Sequence, residues 1–163
     1  MSIRLLLAGG TIDKHYNASN GDLDFADSHI EAALLQGRCT AEVVVQQVLL
    51  KDSLDMTAED REALEAACRV NAEQRIVITH GTDTMVETAA LLAAANLEKT
   101  VVLTGAMIPF IMKDSDGLFN LGCALTAAQC LPAGVYIAIN GEVFEAGKVR
   151  KNYEDLKFEA LED

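Results

Sequence analysis

The chain has 163 residues, 50% of them hydrophobic and 23% charged, and its formal net charge at neutral pH is −12. This length and composition predict a single globular domain over residues 1–163, large enough for a substantial hydrophobic core. The negative charge disfavours nucleic-acid binding because it repels phosphate backbones, and no apolar run approaches the length of a membrane span.

Patterns typical of strands and helices alternate along the chain. Strands are predicted over residues 3–8, 42–50, 75–79, 100–104 and 135–139, and helices over residues 28–36, 57–70, 83–94 and 116–129. A polar stretch over 9–27 is predicted to be a loop above a site. Asn140-Gly141 is predicted to be a type I′ turn that leads into a C-terminal β-hairpin with residues 142–145. The alternation predicts a three-layer α/β fold, in which a mostly parallel sheet carries helices on both faces.

Cysteine and histidine spacing argues against a metal site or a disulfide framework. The cysteines are Cys39, Cys68, Cys123 and Cys130, and the histidines are His15, His29 and His80. They include no CxxC pair and no metal-ligand spacing, so the cysteines are expected to be buried as small apolar residues. His80 is expected to be a hydrogen-bonded residue at a strand end, and no metal or other cofactor is predicted. Since no basic segment or cleavage site precedes the first strand, the expected location is the cytoplasm.

Hydroxyl residues follow two of the predicted strands, each directly after a glycine. Thr11 closes the sequence LLLAGGT, and Thr82 and Asp83 follow the sequence IVITHG. Ligands bind at the carboxyl ends of parallel strands, so two hydroxyls and a carboxylate at this edge indicate nucleophilic chemistry. Taken alone, these residues fit a tight turn at Thr11 and a helix cap at Thr82 and Asp83 better than they fit a catalytic site. A nucleotide-binding loop is disfavoured because GxGxxG and GK[ST] are both missing.

Several of these segments resemble signatures of the bacterial-type L-asparaginases. In chain order they are GGTI (9–12), DSLDM (52–56), HGTDT (80–84), GAMIP (105–109) and SDG (115–117) followed by Asn120. They are similar to the family's TGGTI, GSQDM, HGTDT, GAMRP and SADG…N. The matches run in family order from Leu5 to Lys151. The resemblance implies the flavodoxin-like topology of the family's N-terminal domain, and a short-form asparaginase in which the C-terminal domain is absent.

The resemblance also implies catalytic roles. Thr11 is expected to be the nucleophile, Thr82 a second catalytic hydroxyl, and Asp83 a contact of the substrate's α-ammonium. The family adds a lysine to this group. Alignment of the segment that carries it points to Lys151, with Lys148 as the alternative. A surface lysine in a polar tail is the competing interpretation of either position.

Further residues are implied to bind the substrate. Ser53 matches the serine that holds the α-carboxylate, and the backbone of Ala106 matches a position that faces the side-chain amide. Leu54 stands where the family usually has a glutamine that helps to bind the α-amine. Tyr16 is the only tyrosine of the 9–27 stretch. It is interpreted equally as the family's catalytic lid tyrosine, which polarises the nucleophile, or as an exposed loop aromatic.

The function predicted from these residues is hydrolysis of L-asparagine to L-aspartate and ammonia through an acyl-enzyme. The alternatives left open are a relaxed amidase or glutaminase, and a module that binds an amino acid without catalysis. A homodimer or homotetramer is expected, because full-length members of the family cover part of the site with a neighbouring subunit's C-terminal domain. Apolar residues on the helix over 83–94 form either such a contact or core packing against the sheet.

Overall fold

A computed structural model describes residues 1–162, and residue 163, the end of the predicted domain, lies outside them. The strands are β1 (Ile3–Gly9), β2 (His15–Tyr16), β3 (Leu23–Asp24), β4 (Val43–Lys51), β5 (Arg75–Thr79), β6 (Thr100–Thr104), β7 (Gly134–Ile139), β8 (Glu142–Glu145), β9 (Val149–Asn152) and β10 (Lys157–Ala160). The helices are α1 (Ile30–Gln36), α2 (Ala58–Val70), α3 (Met85–Ala94) and α4 (Gly117–Cys130). Each strand and helix predicted from the sequence is present over most of its predicted range.

The main sheet has the strand order β4-β1-β5-β6-β7-β8. Neighbouring strands are parallel except for the antiparallel pair β7–β8 at one edge. Numbered within the sheet in chain order, this is a flavodoxin-like 2-1-3-4-5 arrangement with an added edge strand. The α/β fold class predicted from the sequence is therefore confirmed. The order reverses between β1 and β5, so the crevice at their carboxyl ends is the expected position for a ligand.

Alternate residues of the central strands fill two separate cores, one on each face of the sheet. Leu6, Ile78 and Leu103 pack with residues of α2 and α3 on one face. Leu5 and Val77 pack with residues of α1 and α4 on the other face. Because helices cover both faces, these strands are apolar along their whole length instead of alternating with polar residues.

The predicted type I′ turn closes the β7–β8 hairpin. Asn140 and Gly141 have φ angles of 55° and 81°, and the flanking Ile139 and Glu142 pair directly. Positive φ at both central residues is what a type I′ turn requires. The predicted C-terminal hairpin is therefore confirmed.

Two short hairpins lie where the sequence predicted no strands. The 9–27 stretch contains a 3₁₀ turn over Thr11–Asp13 and the hairpin β2–β3, in which His15 pairs with Asp24. A second additional hairpin, β9–β10, follows the predicted one. Strands of 2 or 4 residues are too short for a hydrophobic period to be recognised, so the sequence indicated a loop over 9–27 and no element in the segment of β9 and β10.

The apolar residues of α3 belong to the core. Met85, Ala89 and Leu92 are fully buried and pack in the cluster between α3 and the sheet. Of the two interpretations of this helix, core packing is the one observed. Among residues 1–162, no helix combines the length and the apolar composition that crossing a bilayer would require.

The expectation that the cysteines are buried holds for one of them fully. Cys68 is buried, and desolvation raises the pKa of its thiol to about 12. Cys123 is half-buried. The expectation is wrong for Cys39 and Cys130, which are exposed. Cys39 follows the end of α1 and Cys130 is the last residue of α4, so neither is held against the sheet.

Candidate active site

Close backbone contacts bring three of the sequence motifs together at the carboxyl edge of the sheet. Gly10 has a φ of +80°, and a Cβ atom placed on it would lie 2.3 Å from the backbone nitrogen of Gly81. A Cβ atom on Gly81 would in turn lie 2.6 Å from the side chain of Ser53. Only glycine permits these approaches. The turns that carry Thr11, Thr82 and Ser53 are therefore held against one another.

Lys151 reaches this group through its side chain. Its Nζ atom donates to Thr82 Oγ1 over 2.8 Å and to Asp83 Oδ1 over 2.6 Å. The Lys151 side chain is only 10% exposed, so solvent screens this ion pair less than it screens an ordinary surface pair. Lys148, the alternative from the alignment, instead pairs with Glu145 at the surface. The structure thus brings together Thr82, Asp83 and Lys151.

Tyr153 and the predicted lid residue Tyr16 differ in their surroundings. Tyr153 was missed by the sequence analysis, yet its ring centroid lies 4.7 Å from the Lys151 Nζ atom, a cation–π distance. Desolvation and the negative charges of Asp83 and Glu87 raise the pKa of the Tyr153 phenol. Tyr16 lies on β2 and is 56% exposed. Tyr153 directly follows β9, in the turn of the β9–β10 hairpin, so no strand or helix period in the sequence linked it to Lys151.

The residues predicted to bind the substrate lie along the same edge. Ser53 is buried, and its Oγ atom accepts the Thr84 N–H over 3.3 Å, which leaves the hydroxyl proton available to a ligand. Leu54 is 71% exposed. Ala106 is buried just after β6, where the Asp116 carboxylate accepts the following backbone N–H over 3.0 Å. This bond fixes the strand-end turn to the start of α4.

A partly buried hydrogen-bond network supports the Ser53 turn and the Thr82 turn from the side of α2. Arg61, on α2, donates to the hydroxyls of Thr84 and Thr88 over 2.9 and 3.1 Å. The Thr84 hydroxyl donates to the Ser53 carbonyl over 2.9 Å, and the Thr88 hydroxyl lies 2.8 Å from His80 Nε2. Burial lowers the pKa of His80 to about 4, so its ring is a neutral, hydrogen-bonded core residue. Sequence analysis did not single out Arg61, because an arginine on an amphipathic helix usually faces solvent.

An ion pair that the sequence analysis also missed lies between the Thr11 turn and the Ser53 turn. The Lys14 Nζ atom is 2.5 Å from Asp52 Oδ2. Burial raises the pKa of the Asp52 carboxyl, but the hydrogen bond and charge of Lys14, together with the charge of Lys151, hold this pKa below its ordinary value. Asp52 is therefore ionised at neutral pH and lies within reach of the field of Lys151.

This arrangement contains the groups that nucleophilic attack on a carbonyl needs. Thr11 and Thr82 supply hydroxyls, Lys151 an ammonium, and Asp83 a carboxylate. Thr82 and Asp83 lie just before α3, whose first backbone N–H groups favour negative charge. Among residues 1–162, no three His, Cys, Asp or Glu side chains group in a way that could hold a metal ion. That the chemistry needs no cofactor stays a prediction.

The fold and the residues at its switch point define an α/β domain with a candidate site that contains two threonine side chains. The family model described as "Asparaginase, N-terminal" matches residues 2–161, and the chain belongs to the asparaginase family.

Individual relatives cover almost the whole chain. It is 37% identical over 166 residues to a protein of Haemophilus influenzae named probable L-asparaginase periplasmic. The alignment covers 92% of this chain and 46% of the relative. It is 31% identical to a glutaminase-asparaginase of Acinetobacter glutaminasificans, with 92% of this chain and 49% of the relative covered. The structure of the thermostable L-asparaginase from Thermococcus kodakarensis matches with a TM-score of 0.87 and 29% identity, over 99% of this chain and 51% of that one. The chain thus spans about half the length of these relatives.

Proposed function

We propose that this chain hydrolyses L-asparagine to L-aspartate and ammonia. The observation that carries the proposal is the Lys151 ammonium, which bonds Thr82 Oγ1 and Asp83 Oδ1 at 2.8 and 2.6 Å beside the turn of Thr11. Membership of the asparaginase family and the names of the Haemophilus and Acinetobacter relatives support hydrolysis of a side-chain amide.

In the proposed reaction, Thr11 Oγ1 attacks the carbon of the side-chain amide. The C–N bond breaks, and the Thr11 hydroxyl proton passes through Thr82 and Lys151 to the leaving nitrogen, so that ammonia departs and an ester remains. Water then attacks the ester, releases L-aspartate and returns the proton to Thr11. Backbone N–H groups near the start of α3 stabilise the oxyanion in both steps.

The substrate is proposed to lie across the carboxyl ends of β1 and β5. The Asp83 carboxylate receives the α-ammonium, and the Ser53 hydroxyl donates to the α-carboxylate. The backbone of Ala106 faces the amide. Tyr16, exposed on the β2–β3 hairpin, closes over the site as a catalytic lid residue.

A relaxed amidase or glutaminase is the second candidate function. Leu54 replaces the glutamine of GSQDM, and an apolar side chain cannot accept a hydrogen bond from an α-ammonium. One fewer contact to the α-amine weakens the discrimination between asparagine and its longer homologue. The Acinetobacter relative carries both activities in its name.

A homodimer or homotetramer is proposed as the active form. The sequence of α4 contains no charged residue, and Phe119 on this helix is exposed. Two chains that each carry a net charge of −12 repel one another least where their surfaces are uncharged, so α4 is the favoured contact. A cytoplasmic location also stays a prediction, and the Haemophilus relative is named periplasmic.

Ammonia release from asparagine and glutamine tests the proposal. Thr11→Val is nearly isosteric and removes only the hydroxyl. It should lower the rate by about a thousandfold or more without changing the melting temperature. Thr40→Val is the matched control, because Thr40 is exposed between α1 and β4, away from the site residues and not on α4, and it should keep the wild-type rate.

The possible outcomes separate the candidate functions. A wild-type rate in Thr11→Val would show that Thr11 is not the nucleophile. Equal rates on asparagine and glutamine would favour the relaxed amidase. No ammonia from either compound, together with asparagine binding measured by calorimetry, would favour the binding module.

A further inference from the structure

The Lys14–Asp52 ion pair lies at the candidate site and has no part in the reaction described so far. Lys14 directly follows the 3₁₀ turn over Thr11–Asp13, and Asp52 directly precedes Ser53. The two side chains are 18% and 29% exposed. The pair is therefore shielded enough for its charges to act strongly, and open enough for a small ligand to reach it.

Asp52 belongs to the same electrostatic environment as the Lys151 cluster. The charge of Lys151 contributes to the low pKa of Asp52, and Lys151 in turn bonds Thr82 and Asp83. One cation and one anion, Lys14 and Asp52, thus stand beside the residues proposed to act on the amide.

The proposed roles leave the substrate's α-carboxylate without a charged partner and give the α-ammonium only the Asp83 carboxylate. Ser53 offers a neutral hydroxyl to the α-carboxylate, with no cation beside it in the roles described so far. Leu54 offers nothing to the α-ammonium. In DSLDM, Asp52 stands where GSQDM has a glycine, so this chain has gained a carboxylate next to the position at which the glutamine is lost.

Resting on the proposed function, we propose that Lys14 and Asp52 recognise the zwitterionic head of a free α-amino acid. Lys14 binds the α-carboxylate, and Asp52 assists Asp83 in binding the α-ammonium. When the site is empty, the two side chains neutralise one another. When an α-amino acid binds, its carboxylate pairs with Lys14 and its ammonium with Asp52. Each charge therefore keeps a partner of opposite sign, and no single charge is desolvated without one. The pair is thus a specificity determinant that rejects amides lacking either charged α-group.

Three probes test this assignment by calorimetry in the Thr11→Val protein, whose turnover should be too slow to consume the ligand during the measurement. L-Asparagine carries both α-groups, succinamate lacks the α-ammonium, and β-alaninamide lacks the α-carboxylate. Lys14→Met should lower the affinity for succinamate about fivefold. It should raise the affinity for β-alaninamide, because the Asp52 carboxylate is left without its cation. Asp52→Asn should do the reverse: it should raise the affinity for succinamate and lower the affinity for β-alaninamide about fivefold. Both variants should lower the affinity for L-asparagine.

The opposite signs distinguish recognition from damage to the fold. Arg69→Met is the control, since it breaks the Arg69–Glu65 pair at the far end of α2 and should change no affinity. Changes in the same direction for both charged probes in both variants, or an unchanged affinity for L-asparagine, would overturn the proposal. If the two variants show the predicted opposite changes but the wild type releases no ammonia, the subsite is kept and hydrolysis is rejected. Ammonia release without the pattern would reject the subsite alone.

Discussion

Replacing Gly10 with alanine tests whether the contact between the two glycine turns holds the site together. Gly10 has φ +80° and ψ 177°, a conformation that costs an L-residue about 1 to 3 kcal/mol. The new Cβ atom would also lie 2.3 Å from the Gly81 backbone nitrogen, and backbone cannot move aside as a flexible side chain can. Overpacking of this kind adds about 1 to 3 kcal/mol. The free energy of unfolding should therefore fall by about 4 kcal/mol.

Gly21→Ala is the matched control for this prediction. Gly21 has a φ of +83°, and nothing lies within 4 Å of an added Cβ atom. Only the backbone cost of about 1 kcal/mol applies there. Gly10→Ala should also lower kcat about 100-fold, since it displaces Thr11 from the Thr82 turn, whereas Gly21→Ala should keep the wild-type kcat. Urea unfolding followed by circular dichroism, with ammonia release on the same samples, measures both. Equal losses of stability in the two variants would refute the reasoning.

Three further predictions follow from single residues. Lys151→Met should lower kcat about a thousandfold in the ammonia assay, while Lys148→Met, which breaks an exposed pair, should leave kcat unchanged. The reverse result would assign the site lysine to position 148. Leu54→Gln should change the free energy of unfolding by less than about 0.5 kcal/mol, because Leu54 is exposed, and should lower KM for asparagine about threefold by supplying an acceptor. An unchanged KM would place this position outside the site. His80 has a pKa of about 4 in the folded chain and 6.5 as its ordinary value, so protonation favours unfolding. Stability should be full above pH 6.5 and fall by up to about 3 kcal/mol towards pH 4, and His80→Gln should lose this part of the dependence; equal pH slopes in both proteins would contradict the assignment.

The sequence by itself determined the fold class and the positions of the main motifs. The apolar runs over 3–8, 75–79 and 100–104 are long enough to mark buried strands, and the intervening helical periods require parallel crossovers. Asn140-Gly141 specified its turn because few other residues adopt positive φ at both central positions. Each of these signals is local, since a pattern or a dihedral preference is a property of one segment.

Only the tertiary structure decided which distant residues meet. Lys151 is 69 residues from Thr82, and Lys14 is 38 residues from Asp52, so no periodicity within one segment connects them. The strand order brings the ends of β1, β4 and β5 to one edge, and the β9–β10 hairpin then delivers Lys151 and Tyr153 to it. The Arg61 network depends on how α2 packs against α3. Such pairings depend on the relative placement of whole elements, which the burial of both sheet faces imposes and which no single stretch of sequence encodes.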